Sequence, residues 1–297
     1  MRIPFTKMVG TGNDFIIVDA RRRRLMRLAR QWRAVSRALC ERRSGIGADG
    51  LLVLEPSTIA DVRMLVFNPD GSEAEMCGNG ARCVALYIRS ARGAGGAGRG
   101  ATRNPVTIET KAGVLSARVR GDQVAMGMTD PTKVELGLRL AVEGRRVQMG
   151  CVNTGVPHAV VPVKAIDEVD VSRIGRALRR HRRFAPRGTN VNFMQPDSRQ
   201  ANYLFVRTYE RGVEGETLAC GTGVVASAIM FVLSHPAASN GASSRRTIDV
   251  EARSGDRLRV SFTLASHGRR ARVTDVVLEG AAARVFDGRV EWPVRRG

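Results

Sequence analysis

Lysine is scarce in this sequence. Of 48 basic residues only Lys7, Lys111, Lys133 and Lys164 are lysines, and the rest are arginines, set against 28 acids for a formal net charge of +20. Nucleic-acid-binding faces usually mix lysine with arginine and gather both in one patch. Here short arginine clusters recur along the chain (Arg21 to Arg24, Arg42 and Arg43, Arg179 to Arg183, Arg245 and Arg246, Arg269 and Arg270) and read as solvated surface, so nucleic acid is not expected as a partner. Cysteine is limited to five positions, 40, 77, 83, 151 and 220, with no CxxC pair and no histidine at metal-ligand spacing. That argues against a disulfide framework and a zinc site. Residues Met1 to Gly12 carry Lys7 and lack a long apolar core, so no secretory signal is read there and the expected compartment is the cytoplasm. The charge-poor stretch Thr217 to Ser244 is interrupted by Gly221, Gly223, Ser227 and Pro236, which favours a buried core helix over a membrane span.

What is present is a globular composition, 43% apolar and 26% charged over 297 residues, enough for one large domain or two. An internal offset favours two. Cys77-Gly78-Asn79-Gly80 and Cys220-Gly221-Thr222-Gly223 lie 143 residues apart, and the same offset places Gly12 on Gly155 and Ile16-Ile17-Val18 on Ala159-Val160-Val161. Each Cys-Gly-x-Gly element is followed by small and apolar residues that suit a helix buried on most sides. Around these helices lie strand-like segments: Phe15 to Asp19, Gly50 to Leu54, Val62 to Asn68, Val106 to Thr110, Val114 to Val119, Cys151 to Val163, Asn202 to Tyr209 and Val273 to Leu278. The fold class is α+β, with two pseudo-symmetric domains, each a β-sheet or barrel wrapped around a central helix. The expected division is 1–131, carrying Cys77 and with room for the C-terminal strand to pack against it, and 132–297, carrying Cys220. The glycine-rich stretch Ser90 to Asn104 reads as a surface loop.

A cysteine at the start of a helix sits where unpaired backbone N–H groups and the positive end of the helix dipole point. A thiolate is stabilised there, and the same N–H groups can hold a carboxylate. Two such elements in a duplicated fold would place one sulfur on each face of a substrate α-carbon. One thiolate then removes a proton and the other thiol delivers one to the opposite face, inverting the centre. Cys40, Cys83 and Cys151 have no such setting and read as ordinary small apolar residues.

The motifs carry a resemblance. Lys7-Met8-x-Gly-x-Gly-Asn13-Asp14-Phe15, Gly45 to Gly50, Phe67-Asn68-x-Asp70-Gly71-Ser72, Met76 to Cys83, Pro157-His158, Asn190, Tyr209 to Gly212 and Ala219 to Gly223 closely resemble the diaminopimelate epimerases, almost end to end. The resemblance implies that Cys77 and Cys220 are the two acid/base thiols, with Gly78-Asn79 and Gly221-Thr222 cradling the reacting carboxylate. It also implies substrate binding by Asn13, Asn68, Asn190, Glu210 and Arg211, and tuning of a thiol by His158 and Glu210. Arg211 can fork onto a distal carboxylate and Glu210 can face an ammonium group. The sequence departs from the family pattern at Gly50 and Val156, where many members have Gln and Asn. The implied reaction converts LL-2,6-diaminopimelate to the meso form in lysine and peptidoglycan precursor synthesis, with no cofactor and no metal. The implied assembly is a homodimer with Phe286 at its interface. A proline or hydroxyproline racemase of the same fold is the alternative; Asn79, where that group usually has His, and the pair Glu210-Arg211 argue against it. A nucleic-acid-binding protein is the rival from another class.

Overall fold

Phe15, Ile16, Ile17 and Val18 are consecutive and all buried, as expected of a strand covered on both faces. Alternation sends Phe15 and Ile17 to one core and Ile16 and Val18 to another. Leu52 and Leu54 join the first core, Leu51 and Val53 the second. The computed structural model describes residues 1–21, 23–94, 105–234, 243–267 and 270–293. It divides into two units, Met1–Met126 with Gly280–Gly297, and Gly127–Glu279.

In the first unit strand Arg2–Gly10 pairs antiparallel with Asn13–Asp19, which runs parallel to Gly50–Glu55. Gly50–Glu55 is antiparallel to Val62–Phe67, which is parallel to Val106–Thr110, and the latter pairs antiparallel with Gly113–Arg120. The second unit repeats these six strands in the same order and the same senses: Arg145–Asn153, Pro157–Pro162, Asn190–Pro196, Tyr203–Glu210, Ser244–Ala252 and Arg257–His267. Each parallel step is bridged by a helix, as parallel pairing demands. Trp32–Leu39 and Val171–Arg179 occupy the first crossover of each unit, and Gly78–Ala94 and Gly221–Ser234 the second. Gly12 and Gly155, matched by the sequence offset, both turn a hairpin with positive φ, 74° and 107°.

The second-crossover helices are the central ones. Gly221–Ser234 contains two glycines and five β-branched residues, poor helix formers by propensity. It is held by packing: Val224, Val225, Ile229, Met230 and Val232 are buried among Val160, Met194, Leu204, Val206, Ile248, Val250 and Phe262. Each such side chain contributes about 1.5–3 kcal/mol when fully buried, which outweighs the propensity cost of the whole helix. No helix of the described residues is long and apolar enough to cross a membrane.

The structure differs from the sequence reading in three places. The first unit ends at Met126 rather than near Pro131; the C-terminal segment from Gly280 belongs to it, as the sequence reading allowed, because strand Ala283–Glu291 pairs with Arg2–Gly10. Cys151 to Val163 is not one strand; it is the hairpin of Arg145–Asn153 and Pro157–Pro162, turned at Thr154 to Val156. Ser90 to Ala94, read as loop, continues the central helix, whose buried face extends through Ile88; residues 95–104 lie outside the described residues. On the C-terminal strand, Phe286 is 47% exposed and meets the Phe5 ring edge-on at 5.9 Å.

Candidate active site

Cys77 immediately precedes the central helix of the first unit. Its carbonyl accepts from Ala81 N at 2.8 Å, and its sulfur accepts from Gly80 N at 3.4 Å. A Cβ added at Gly78 would meet nothing within 4 Å, so the backbone there is open to a ligand. The first-turn N–H groups of Gly78 and Asn79 have no intrahelical partner. The Asn79 side chain, by contrast, is buried and fixed: its Nδ2 donates to Asn13 Oδ1 at 2.7 Å, and its Oδ1 accepts from the fully buried Arg82 at 2.7 Å. Arg82 also donates to the Thr11 hydroxyl. Asn13 in turn donates to Asp49 Oδ2 at 3.0 Å.

Behind Asn13 lies an ion network. Asp14 meets Lys7 Nζ at 2.7 Å and Arg42 at 2.8 Å, and Arg42 also reaches Asp49 at 2.7 Å. Partial burial pushes the Asp14 carboxyl up, but the Arg42 and Lys7 contacts outweigh it and hold the group at about 2. Two cations thus lock the strand start that presents Asn13. Asn68 stands at the end of strand Val62–Phe67, exposed, donating to Ser72 Oγ at 2.9 Å, while its carbonyl accepts from Ser36. Its polar contacts do not run to the Cys77 group.

In the second unit Cys220 takes the equivalent place, 8% exposed, with its carbonyl accepting from Val224 N at 2.9 Å. Its sulfur is 3.5 Å from Thr222 Oγ1, which is 3.0 Å from His158 Nε2. His158 is 1% exposed; burial and the positive charge of Arg211 push its pKa down to about 3, so the ring is neutral across the physiological range. Asn192, wholly buried, faces the other ring nitrogen at 3.0 Å. Asn190 Oδ1 accepts from Arg211 N at 2.8 Å, fixing the backbone after strand Tyr203–Glu210. The Arg211 guanidinium makes no hydrogen bond or ion pair with the described residues, which leaves its fork available. Burial pushes the adjacent Glu210 carboxyl up, opposed by the Thr217 hydroxyl.

The remaining thiols are chemically quiet. Burial pushes Cys83 up to about 12 and Cys151 up to about 11, and Cys40 is raised for the same reason. No group of three or more His, Cys, Asp or Glu side chains placed to hold a metal occurs among the described residues.

A family model described as Diaminopimelate epimerase matches residues 5–134 and 150–268. The chain belongs to the diaminopimelate epimerase family. It is 41% identical over 299 residues to the diaminopimelate epimerase of Aquifex aeolicus (strain VF5), covering 98% of each chain. It is 39% identical to that of Archaeoglobus fulgidus, covering 97% of this chain and 96% of the relative. Among solved structures, a hydroxyproline epimerase from Agrobacterium vitis superposes with a TM-score of 0.67 at 17% identity, over 97% of this chain and 92% of that one. A Bacillus anthracis protein of the PhzF family does so with 0.65 at 19% identity, over 98% and 99%. At those identities the likeness speaks for the fold alone.

Within this family member, the first unit gathers Asn13, Cys77, Gly78 and Asn79, and the second gathers His158, Asn190, Glu210, Arg211, Cys220, Gly221 and Thr222. The departures from the family pattern have structural counterparts. Gly50 backs onto Phe67 O and the Phe15 ring, where an added Cβ would be crowded at 3.2 to 3.4 Å. Asn153, a residue that could stand in for a side chain at Val156, is engaged in its own turn, accepting from Gly155 N at 2.9 Å. Sequence reasoning missed Asn192 and Arg82 as contributors. The signals were there: Asn192 is two residues from Asn190 and so shares its face of the strand, and Arg82 is three from Asn79 on one helix face.

Proposed function

We propose that this chain interconverts LL-2,6-diaminopimelate and the meso form without a cofactor, using Cys77 and Cys220 as the acid/base pair. The observation that carries this reading is the occurrence of a cysteine at the same point of two duplicated units, each at the mouth of a central helix, in a chain of this family. The thiolate of one cysteine abstracts the α-proton and the thiol of the other protonates the opposite face. The N–H groups of Gly78-Asn79 and Gly221-Thr222 hold the reacting carboxylate, which also carries negative charge as the proton leaves. Arg211, with its fork uncommitted, takes the distal carboxylate, and Glu210 its ammonium neighbour. Asn13, Asn68 and Asn190 supply the remaining polar contacts. A small amino acid in the cytoplasm, feeding lysine and cell-wall precursor synthesis, is the substrate setting. Neither pyridoxal phosphate nor a metal enters this scheme, and nucleic acid and membrane have no part in it. The chain acts as a homodimer, and the exposed Val285 and Phe286 on the C-terminal strand support an interface there.

A proline or hydroxyproline racemase shares this fold, but Asn79 stands where that group usually has His, and the Glu210-Arg211 pair favours a substrate with a second charged end. Turnover in heavy water tests the scheme. Starting from the LL isomer, meso product formed at low conversion carries deuterium at the inverted carbon while recovered substrate stays unlabelled, because the donor thiol exchanges with solvent and the acceptor receives the substrate's own hydrogen. Product retaining the original hydrogen, or no meso product at all under reducing conditions, would refute it.

A further inference from the structure

The two units share a strand plan but differ at one cluster behind the cysteine turn. In the first unit Phe15, Leu52 and Val66 occupy neighbouring register positions beside the central helix, and all three belong to its apolar core. Gly80 backs onto Leu52, whose Cδ2 lies 3.0 Å from where a Cβ would stand. By the same register the second unit has His158, Asn192 and Thr208, and Gly223 backs onto Asn192 in the same way. A fold that closes this position with three apolar side chains has no structural need for polar ones, and burying them costs desolvation.

The hydrogen bonds say what the polar set does. Asn192 Nδ2 lies 3.2 Å from Ala159 O and 3.0 Å from His158 Nδ1, while its Oδ1 accepts from Thr208 Oγ1 at 3.0 Å. A backbone carbonyl only accepts, so the amide nitrogen must face it, and the amide cannot be turned over. The second N–H of the same amide then points at Nδ1, which must be bare. The single ring proton therefore sits on Nε2 and is donated to Thr222 Oγ1 at 3.0 Å. With that lone pair used, the Thr222 hydroxyl keeps its own proton for the Cys220 sulfur, 3.5 Å away.

We propose that Asn192 is a positioning residue for the reaction: by holding His158 as the neutral Nε2–H tautomer, it commits the Thr222 hydroxyl to donate to Cys220 and so favours the thiolate of that sulfur. The role of Cys220 as a base rests on the epimerase reading; the tautomer and the direction of the hydrogen bonds do not. Arg211, whose charge reaches His158, works with Asn192 against a second ring proton. In the first unit the position of Thr222 is taken by Asn79, held instead by Asn13 and Arg82, so the two thiols are prepared differently.

The tautomer is read directly from long-range proton–nitrogen spectra of the 15N-labelled full chain at neutral pH, with the His158 signals identified by their loss in His158→Gln. Nδ1 in the unprotonated range and Nε2 in the protonated range are expected; the reverse pattern, or a doubly protonated ring, overturns the proposal. In Asn192→Asp the carboxylate accepts from Nδ1–H, Nε2 becomes an acceptor, and the Thr222 hydroxyl turns from the sulfur. The pH midpoint of Cys220 alkylation by iodoacetamide, followed on its peptide by mass spectrometry, then rises by about one to two pH units, as for loss of one hydrogen bond to a charged group. The midpoint of Cys77 stays where it was. Thr222→Val produces the same rise, and adding Asn192→Leu to it produces no more. A Cys220 midpoint unmoved in Asn192→Asp and Asn192→Leu, or a second rise in the double variant, overturns the proposal. Conversion of LL-diaminopimelate by the unsubstituted chain tests the epimerase reading separately, and the spectra and midpoints decide the role of Asn192 whichever way that assay falls.

Discussion

His158 makes the acid side of the stability profile calculable. Its ordinary pKa is near 6.5, and in the folded chain burial and Arg211 lower it to about 3. A histidine whose folded value is depressed binds its proton more readily in the unfolded chain, so stability falls as pH drops from 6.5 toward 3. At pH 5 the native ring is neutral and the unfolded ring is mostly protonated. The difference from pH 7 is then set by unfolded-state titration, about 1.5 pH units of protonation at 1.36 kcal/mol each, or about 2 kcal/mol. Urea unfolding followed by circular dichroism at both pH values, on the wild type and on His158→Gln, isolates this contribution, since carboxylates such as Asp14 titrate alike in both proteins. The wild type should lose about 2 kcal/mol more than the variant on going from pH 7 to pH 5. Parallel losses in the two proteins would refute a buried neutral His158 and, with it, the hydrogen-bond chain to Cys220.

Cys77→Ala and Cys220→Ala should each lower epimerisation by about three orders of magnitude or more while leaving circular dichroism unchanged, since each removes the proton partner on one face; Cys151→Ala should be silent, and normal turnover in either active-site variant would contradict the two-thiol scheme. Arg211→Ala should raise KM more than it lowers kcat, by the equivalent of about 1.5–3 kcal/mol for a hydrogen-bonded charge, and initial rates against substrate concentration check it. Gly223→Ala should cost turnover far more than Gly80→Ala, because a methyl at 223 strikes Asn192 Oδ1 whereas one at 80 meets the yielding end of Leu52 at 3.0 Å; equal effects in a paired rate assay would argue against a precise fit at Asn192. Arg82→Met should weaken stability by about 1–3 kcal/mol, because the buried Asn79 Oδ1 and Thr11 hydroxyl lose their donor, and thermal unfolding measures it.

What the sequence determined alone was everything encoded by local pattern or by repetition. The 143-residue offset between the two Cys-Gly-x-Gly elements disclosed a duplication, and the pairing senses of the six strands in each unit match it. Helix starts at Gly78 and Gly221 were legible because a cysteine before Gly-x-Gly and an apolar run announces a helix mouth, and family motifs named the residues around them. Strand ends were less legible: Cys151 to Val163 is β-rich on both sides of a turn, and the pairing of Gly150 to Asn153 with Pro157 to Val160 is what shows that Asn153, Gly155 and Pro157 mark that turn. Only the tertiary structure decided that the C-terminal strand Ala283–Glu291 joins the first unit, since its partner Arg2–Gly10 lies far away along the chain. It also decided the tautomer of His158. That proton is placed by an amide on one strand, a carbonyl and a ring on the next, and a hydroxyl at a helix mouth, contacts between residues 33 to 64 positions apart. Leu52 and Asn192 stand at the same register position, one closing an apolar core and the other directing a hydrogen bond, and the difference is visible only when side chains distant in sequence are brought within 3 Å of one another.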